Sequence, residues 1–203
     1  MRRTVQIAGF GSLALLLLVV GAALRPLIVP EVSRVKPVLD AVEIGFVQDM
    51  AEHHQQALAM TMRLSPDVDP AVAALARQIG DSQRTEIGIL TGWLQLADAP
   101  PTNPEPMSWH ETPGHTHGGA VPDESMPGMA TTAELDALSA ATGRDAEVLF
   151  LQLMHLHHLG GIEMAQTADA LLASGPVDRM ARSMVQEQSQ EAGLISILLA
   201  ERS

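Results

Sequence analysis

The chain has no cysteine, no tyrosine and a single lysine, Lys36. Without cysteine there are no disulfides, no thiolate zinc sites and no thiol catalysis. A soft metal ligand in this chain must be a methionine thioether or a histidine imidazole, donors that form no disulfides in an oxidising compartment. Aromatic residues are also scarce: Phe10, Phe46, Trp93, Trp109 and Phe150 are the whole set. A β-sandwich or barrel normally uses more aromatic and β-branched side chains, whereas Ala, Leu, Met, Gln and Glu favour helix. The expected fold class is all-α. The formal net charge is −12, so there is no basic face to displace counterions from phosphates and little to stack on bases. Nucleic acid is excluded as a partner. An acidic surface raises the local concentration of cations. No Ser-His-Asp set, phosphate-cradling glycine loop or zinc-protease motif is present, which disfavours hydrolase and nucleotide-dependent chemistry.

What the chain does have is a repeat. Phe46-Val47-Gln48-Asp49-Met50-Ala51-Glu52-His53-His54, with Ala57 and Met60, returns 104 residues later as Phe150-Leu151-Gln152-Leu153-Met154-His155-Leu156-His157-His158, with Gly161 and Met164. Ala76-Arg77, Gln83, Glu86 and Gly88 return at an offset of 105 as Ala181-Arg182, Gln188, Glu191 and Gly193. Two helical hairpins are therefore copies of one another, each setting Met-x-x-His-His opposite Gln-x-x-Glu. Thioether, imidazole and carboxylate together form a donor set for a metal ion rather than for a carbon skeleton.

The N-terminus carries a different signal. Arg2-Arg3 precedes an apolar run from Val5 to Leu24, close to the roughly 20 residues that span a bilayer core. The arginines hold the start of the chain in the cytoplasm and send the rest outward. Residues 1–25 are expected to be a membrane anchor, or a signal peptide if Gly21-Ala22-Ala23 is cleaved. Pro26, Pro30 and Pro37 make residues 26–38 an extended tether, and residues 39–203 form the extracytoplasmic domain.

Helical spacing places four long amphipathic helices in that domain. The first has the stripe Leu39, Val42, Phe46, Met50, His53, Ala57, Met60 and Leu64. Asp69-Pro70, a cap followed by proline at the first helical position, opens the second, which runs to about Ala97. Residues 98–130 hold seven prolines and read as a long flexible crossover. Thr131 and Glu134 form a capping box for a short helix ending near Gly143. The third long helix runs from about Asp145 to Ala173, Gly175-Pro176 breaks it, and the last carries Met184, Gln188 and Glu191. One long connection between two tight hairpins describes an antiparallel four-helix bundle of the ferritin-like kind.

His53 and His157 fall at the centres of their stripes and His54 and His158 at the flanks, while Gln83, Glu86, Gln188 and Glu191 occupy positions where a plain bundle carries leucine. Unpaired, such groups cost ~1–3 kcal/mol each. Two readings satisfy them: a hydrogen-bond network that fixes helix register, or a metal site built from Met50, His53, His54, Met60, Glu86, Met154, His157, His158, Met164 and Glu191. Carboxylate-bridged di-iron bundles place Glu and His similarly, but Glu-x-x-His is absent here, and the methionines favour copper over iron or zinc. In the crossover, His110, His115, His117, Met126 and Met129, beside Met107 and a shielding Trp109, have no core to build and are expected to capture metal independently.

The doubled Phe-x-x-x-Met-x-x-His-His, Gln83-x-x-Glu86 and Met126-Pro127-Gly128-Met129 together resemble the exported domain of unknown function 305 family, which includes CopM-like copper-binding proteins. The resemblance covers about Asp40 to Leu199. It implies a ferritin-like four-helix fold and periplasmic or cell-surface binding of copper, as Cu(I) or Cu(II). On this reading the protein is a non-catalytic scavenger or chaperone in copper tolerance, with an unidentified metal-transfer protein as a further partner. A ferritin-like metal-dependent oxidase and a metal-free structural or partner-binding bundle are the alternatives. The topology is checked by a reporter fused after Ser203: activity outside the cytoplasm is expected, and activity only inside would reject export.

Overall fold

The computed structural model describes residues 18–21, 24, 38–110 and 126–202. Two compact units are present, Met1–Pro37 and Val38–Ser203. In the first, residues 18–21 and 24 are helical, with Leu18, Val19, Val20 and Leu24 exposed. Among the described residues no helix is long and apolar enough to cross a membrane. The anchor expected over residues 1–25 falls mostly outside the described residues.

The second unit is all-helical among its described residues: α1 (Ala41–Arg63), α2 (Pro70–Leu96), a 3-10 turn (Ser108–His110), α3 (Thr132–Ala140), α4 (Gly143–Leu171) and α5 (Pro176–Ala200). The local chemistry of the sequence sets these boundaries. At the start of α1, the Asp40 carboxylate accepts from Glu43 N at 2.9 Å while Glu43 accepts from Asp40 N at 2.8 Å, a reciprocal capping box. Asp69 accepts from Ala71 N with Pro70 at the first position of α2, and Thr131 and Glu134 cap α3 as their spacing predicts. Glu147 joins the ends of three helices, accepting from Asp69 N at 2.7 Å and from Arg202 Nε at 2.6 Å.

α1 packs on α2, α4 on α5, and α1 on α4. Met50 and Met164 share one apolar cluster, with Phe46, Leu90 and Met184; Met60 and Met154 share the other, with Phe150, Ile79 and Ile195. Early α1 thus meets late α4 and late α1 meets early α4, so these helices run antiparallel. Burying each of these methionines fully contributes ~1.5–3 kcal/mol.

The crossover differs from its expected form wherever it is described. Residues 98–110 are folded onto α1. Trp109 is buried edge-on against Phe46, with ring centroids 5.4 Å apart, and Gln48 Nε2 donates to Pro100 O at 2.7 Å. Buried Asp49 organises the segment, its Oδ2 accepting from Met107 N at 2.7 Å, Trp109 Nε1 at 2.8 Å and Asn103 Nδ2 at 3.2 Å. Residues 126–130 form a strap over α1 and α4. Met126 is buried in the first cluster and Met129 packs against it. Gln56 grips Ala130 through both amide atoms, donating to its carbonyl at 2.9 Å and accepting from its N–H at 2.6 Å. The expectation that Met126 and Met129 stand in solvated sequence with no core to build is therefore corrected: they anchor the strap.

Gly160 is what lets the strap sit down, because a methyl there would collide with the Pro127 carbonyl. Gly193, also helical, faces open space. Gly160→Ala is expected to lower stability by about 1–3 kcal/mol through backbone displacement. Gly193→Ala should raise it by ~0.5–1 kcal/mol through helix propensity alone. Urea unfolding of both variants checks the sign of each change.

Candidate metal centre

Where α1 meets α4, two imidazoles stack. The His53 and His157 rings lie 3.8 Å apart at 29°, and both are almost completely buried. His157 Nε2 donates to the His53 carbonyl at 2.9 Å, and His53 Nε2 donates to the Pro127 carbonyl at 3.0 Å. A carbonyl only accepts, so each ring keeps its single proton on Nε2 when neutral. Neutral is the state that burial imposes: desolvation pushes His53 down to about 3, with neighbouring His54 adding to the shift. Desolvation, followed by the charge of His53, likewise holds His157 well below the ordinary histidine range. Both Nδ1 atoms are thus bare lone pairs, buried and without a hydrogen-bond partner.

The second histidine of each doublet turns to a carboxylate on the partner helix. His54 Nε2 lies 2.7 Å from Glu86, and His158 Nε2 lies 2.8 Å from Glu191. The two pairs are not equivalent. His158 Nδ1 also faces the Met154 carbonyl, at 3.0 Å, so both its nitrogens meet acceptors. His54 Nδ1 has no partner, and its Nε2 approach to Glu86 is a close ion-pair contact without hydrogen-bond alignment. Beside them, Gln83 Oε1 and both amide atoms of Gln188 are buried and unpartnered. Gly161 gives Gln188 its room, since a methyl there would strike the amide.

The candidate residues are brought together only in part. His53, His54, His157 and His158 gather at the middle of the α1–α4 contact with Glu86 and Glu191 behind them. His54 is buried on the Glu86 side, and it, rather than the stripe-centre His53, meets the carboxylate. The four repeat methionines are all fully buried but divide between the two apolar clusters, Met50 with Met164 and Met60 with Met154. Among the described residues no three His, Asp or Glu side chains form a group ready to hold a metal ion. In the crossover, His110 is exposed with Nδ1 against the Met107 carbonyl, and Trp109 is committed to Phe46 and Asp49. His115 and His117 lie outside the described residues.

Asp49, Gln56 and the Pro127 carbonyl take part without having been singled out from sequence. For Asp49 and Gln56 the signal is departure from the repeat, since Asp49 stands where the second copy has Leu153 and Gln56 where it has Gly160.

Residues 43–199 match the domain of unknown function family DUF305. A DUF305 protein of Streptomyces coelicolor described as secreted is 38% identical, covering 79% of this chain and 92% of its own, with a TM-score of 0.70. A DUF305 fragment from Deinococcus radiodurans is 30% identical over 80% of this chain and 97% of its own, with a TM-score of 0.65. CopM in its Cu(II)-bound form shares the fold at 22% identity and a TM-score of 0.59, over 79% of this chain and 97% of its own. No curated protein matches. The chain belongs to the DUF305 family.

The neutral imidazoles make stability depend on pH in a stated direction. Unfolded histidine titrates near 6.5. Between that value and the depressed native values the unfolded chain holds more protons, so stability is lost as pH falls below about 6.5. Each ring contributes up to about 1.4 kcal/mol per pH unit. Urea unfolding of metal-free protein from pH 7 to 5 should show this slope, and the His53→Asn/His157→Asn variant a shallower one. Equal slopes would mean that the native rings are not held neutral.

Proposed function

We propose that the protein is an exported, non-catalytic copper-binding protein whose four long helices form a ferritin-like antiparallel bundle around Met and His ligands. The observation that carries this reading is the pair of bare, buried Nδ1 atoms of His53 and His157, with both ring nitrogens of His54 also buried and without a hydrogen bond, within a few residues of fully buried thioethers. Orphaned lone pairs in an apolar interior are costly to a purely structural network, at ~1–3 kcal/mol each, and are what a soft cation takes. Imidazole and thioether without thiolate or a carboxylate cage suit Cu(I) better than iron, and the donor set present fits a monovalent ion that needs few ligands. Glu86 and Glu191, against His54 and His158, hold a compensating charge close by. Met50 and Met164 in one apolar cluster and Met60 and Met154 in the other are the thioethers assigned to the same ligand set. His110, His115 and His117 are the candidates for capturing copper from solvent. Met126 and Met129 serve first as anchors of the strap.

Export rests on Arg2-Arg3 with the apolar run behind it, and is supported by the Streptomyces relative described as secreted. Copper as the metal is supported by the Cu(II)-bound form of a protein sharing the fold and, more directly, by the donor chemistry.

The test is anaerobic titration of the purified chain with Cu(I), reading metal content and melting temperature. A ligand bound only by the native state stabilises it by about 2.7 kcal/mol at one hundred times its Kd. The His53→Ala/His157→Ala variant should lose one class of bound copper and that class's rise in melting temperature. Unchanged copper content in a less stable metal-free protein would reject the interior site. Iron bound with oxygen turnover would favour the oxidase instead.

A further inference from the structure

We propose that the groove between α2 and α5 is the doorway by which a cation reaches His54, and that the duplicated fold opens it at one copy and latches it at the other. The proposal rests on the copper reading above and adds the route to that site.

The groove has a volume of about 500 Å³ and is lined by Asp81, Thr85 and Glu86 from α2 and by Met180, Ser183 and Glu187 from α5. Its floor is Glu86, whose carboxylate stands 2.7 Å from His54 Nε2. That nitrogen is completely buried, lacks an aligned hydrogen bond and points at the floor of the groove. The Glu86 carboxylate thus touches both the groove and the buried imidazole, with Ile89 also among the lining residues. Asp81 and Glu187 are exposed on the rim. Asp81 also touches Arg84 at 2.8 Å, a pair open to water and weak for that reason. A half-buried thioether, Met180, lies between rim and floor. Carboxylates at a mouth concentrate cations and raise their rate of arrival, and a thioether behind them favours the softer ones.

The latch is visible only when the two copies are laid over one another. Glu86 corresponds to Glu191 at the offset of 105, and Gln78 corresponds to Ser183 at the same offset. Gln78 reaches across from α2 so that its Nε2 donates to Glu191 Oε1 at 3.4 Å, bridging the seam outside the His158 pair. Ser183 is too short to do the same for Glu86. Its hydroxyl bonds instead to Glu187 on its own helix, at 3.0 Å, and leaves Glu86 at the foot of the groove. Residue 183 is therefore the position at which the latch on one His–Glu pair is missing from the other.

A doorway alters rates in both directions and leaves the equilibrium alone, which separates it from a ligand. The full purified chain is mixed anaerobically with Cu(I) held by a weak chromophoric chelator, and uptake is followed by stopped flow. Ser183→Gln restores the latch with a good helix former at an exposed position. It should slow uptake and release several-fold by the same factor, with the final copper content unchanged. Glu187→Gln, also at an exposed position, should slow uptake and release together, with a smaller effect at high salt. It stands as the second variant should Ser183→Gln fold poorly. Uptake as fast as that of the natural chain in both variants overturns the proposal while leaving copper binding intact. A lowered final copper content in Ser183→Gln also overturns it, by placing residue 183 at the site itself. No uptake by the natural chain rejects the copper reading, and the doorway with it.

Discussion

Two imidazoles stacked at the middle of the α1–α4 contact set the terms for the rest of the molecule. Each brings a polar ring into a region without water, where an unmet donor is expensive. His157 solves this inside the bundle by donating to the carbonyl of His53. His53 has no equivalent answer and donates to Pro127, on a segment that must be carried there from outside. The strap is thus a requirement of the core. Its own fixings follow from that: Met126 in the first apolar cluster, Gln56 clamped on Ala130, and Gly128 at φ +77° close against the backbone of Leu156 and His157.

The same polar investment explains why so few aromatics suffice. Phe46 and Phe150 occupy equivalent places in the repeat, one in each apolar cluster. The space between the clusters is filled by histidine, glutamine and glutamate rather than by larger apolar side chains. A core built this way is held less by area than by satisfied geometry, and unsatisfied atoms remain in it: nitrogens of His53, His54, His155 and His157, Oδ1 of Asp49, Oε1 of Gln83 and both amide atoms of Gln188. Most of these atoms belong to residues that the repeat preserves, with Asp49 and His155 the exceptions.

Much of this was legible in the sequence because helical periodicity and capping chemistry are local. The Asp69-Pro70 start, the Thr131–Glu134 box and the Gly175-Pro176 break all fall where their residues dictate. The burial of His53, Gln83, Glu86 and their counterparts follows from their place in the stripes. Other features depend on relations the stripe does not encode. An angular position on one helix does not say which partner helix it meets, so His54 read as a flank while it is in fact buried against Glu86. Proline density marked residues 98–130 as irregular, which the described part largely is, but irregular backbone can still be packed. Asp49 supplies enough acceptor capacity to hold Met107, Asn103 and Trp109 in place. Composition alone made Met126 look exposed, since nothing local reveals that Gly160 leaves room for its neighbour Pro127.

A duplicated bundle has two equivalent faces, but a single connection can cover only one of them, and this mismatch accounts for where the copies diverge. On the covered side, Leu gives way to a carboxylate at Asp49 to tie down the crossover. Gln56 and Gly160, one position in two copies, become a clamp and a seat for the strap. Residue 57 keeps a methyl while Gly161 loses it to admit Gln188. Along the α2–α5 seam the divergences include Gln78 against Ser183 and Ser82 against Glu187. Met50, His53, His54, Met60 and Glu86 keep their counterparts Met154, His157, His158, Met164 and Glu191 in the second half. Divergence in the supports with identity in the donors is the pattern expected when the duplicated chemistry came first and the asymmetric chain path was accommodated around it.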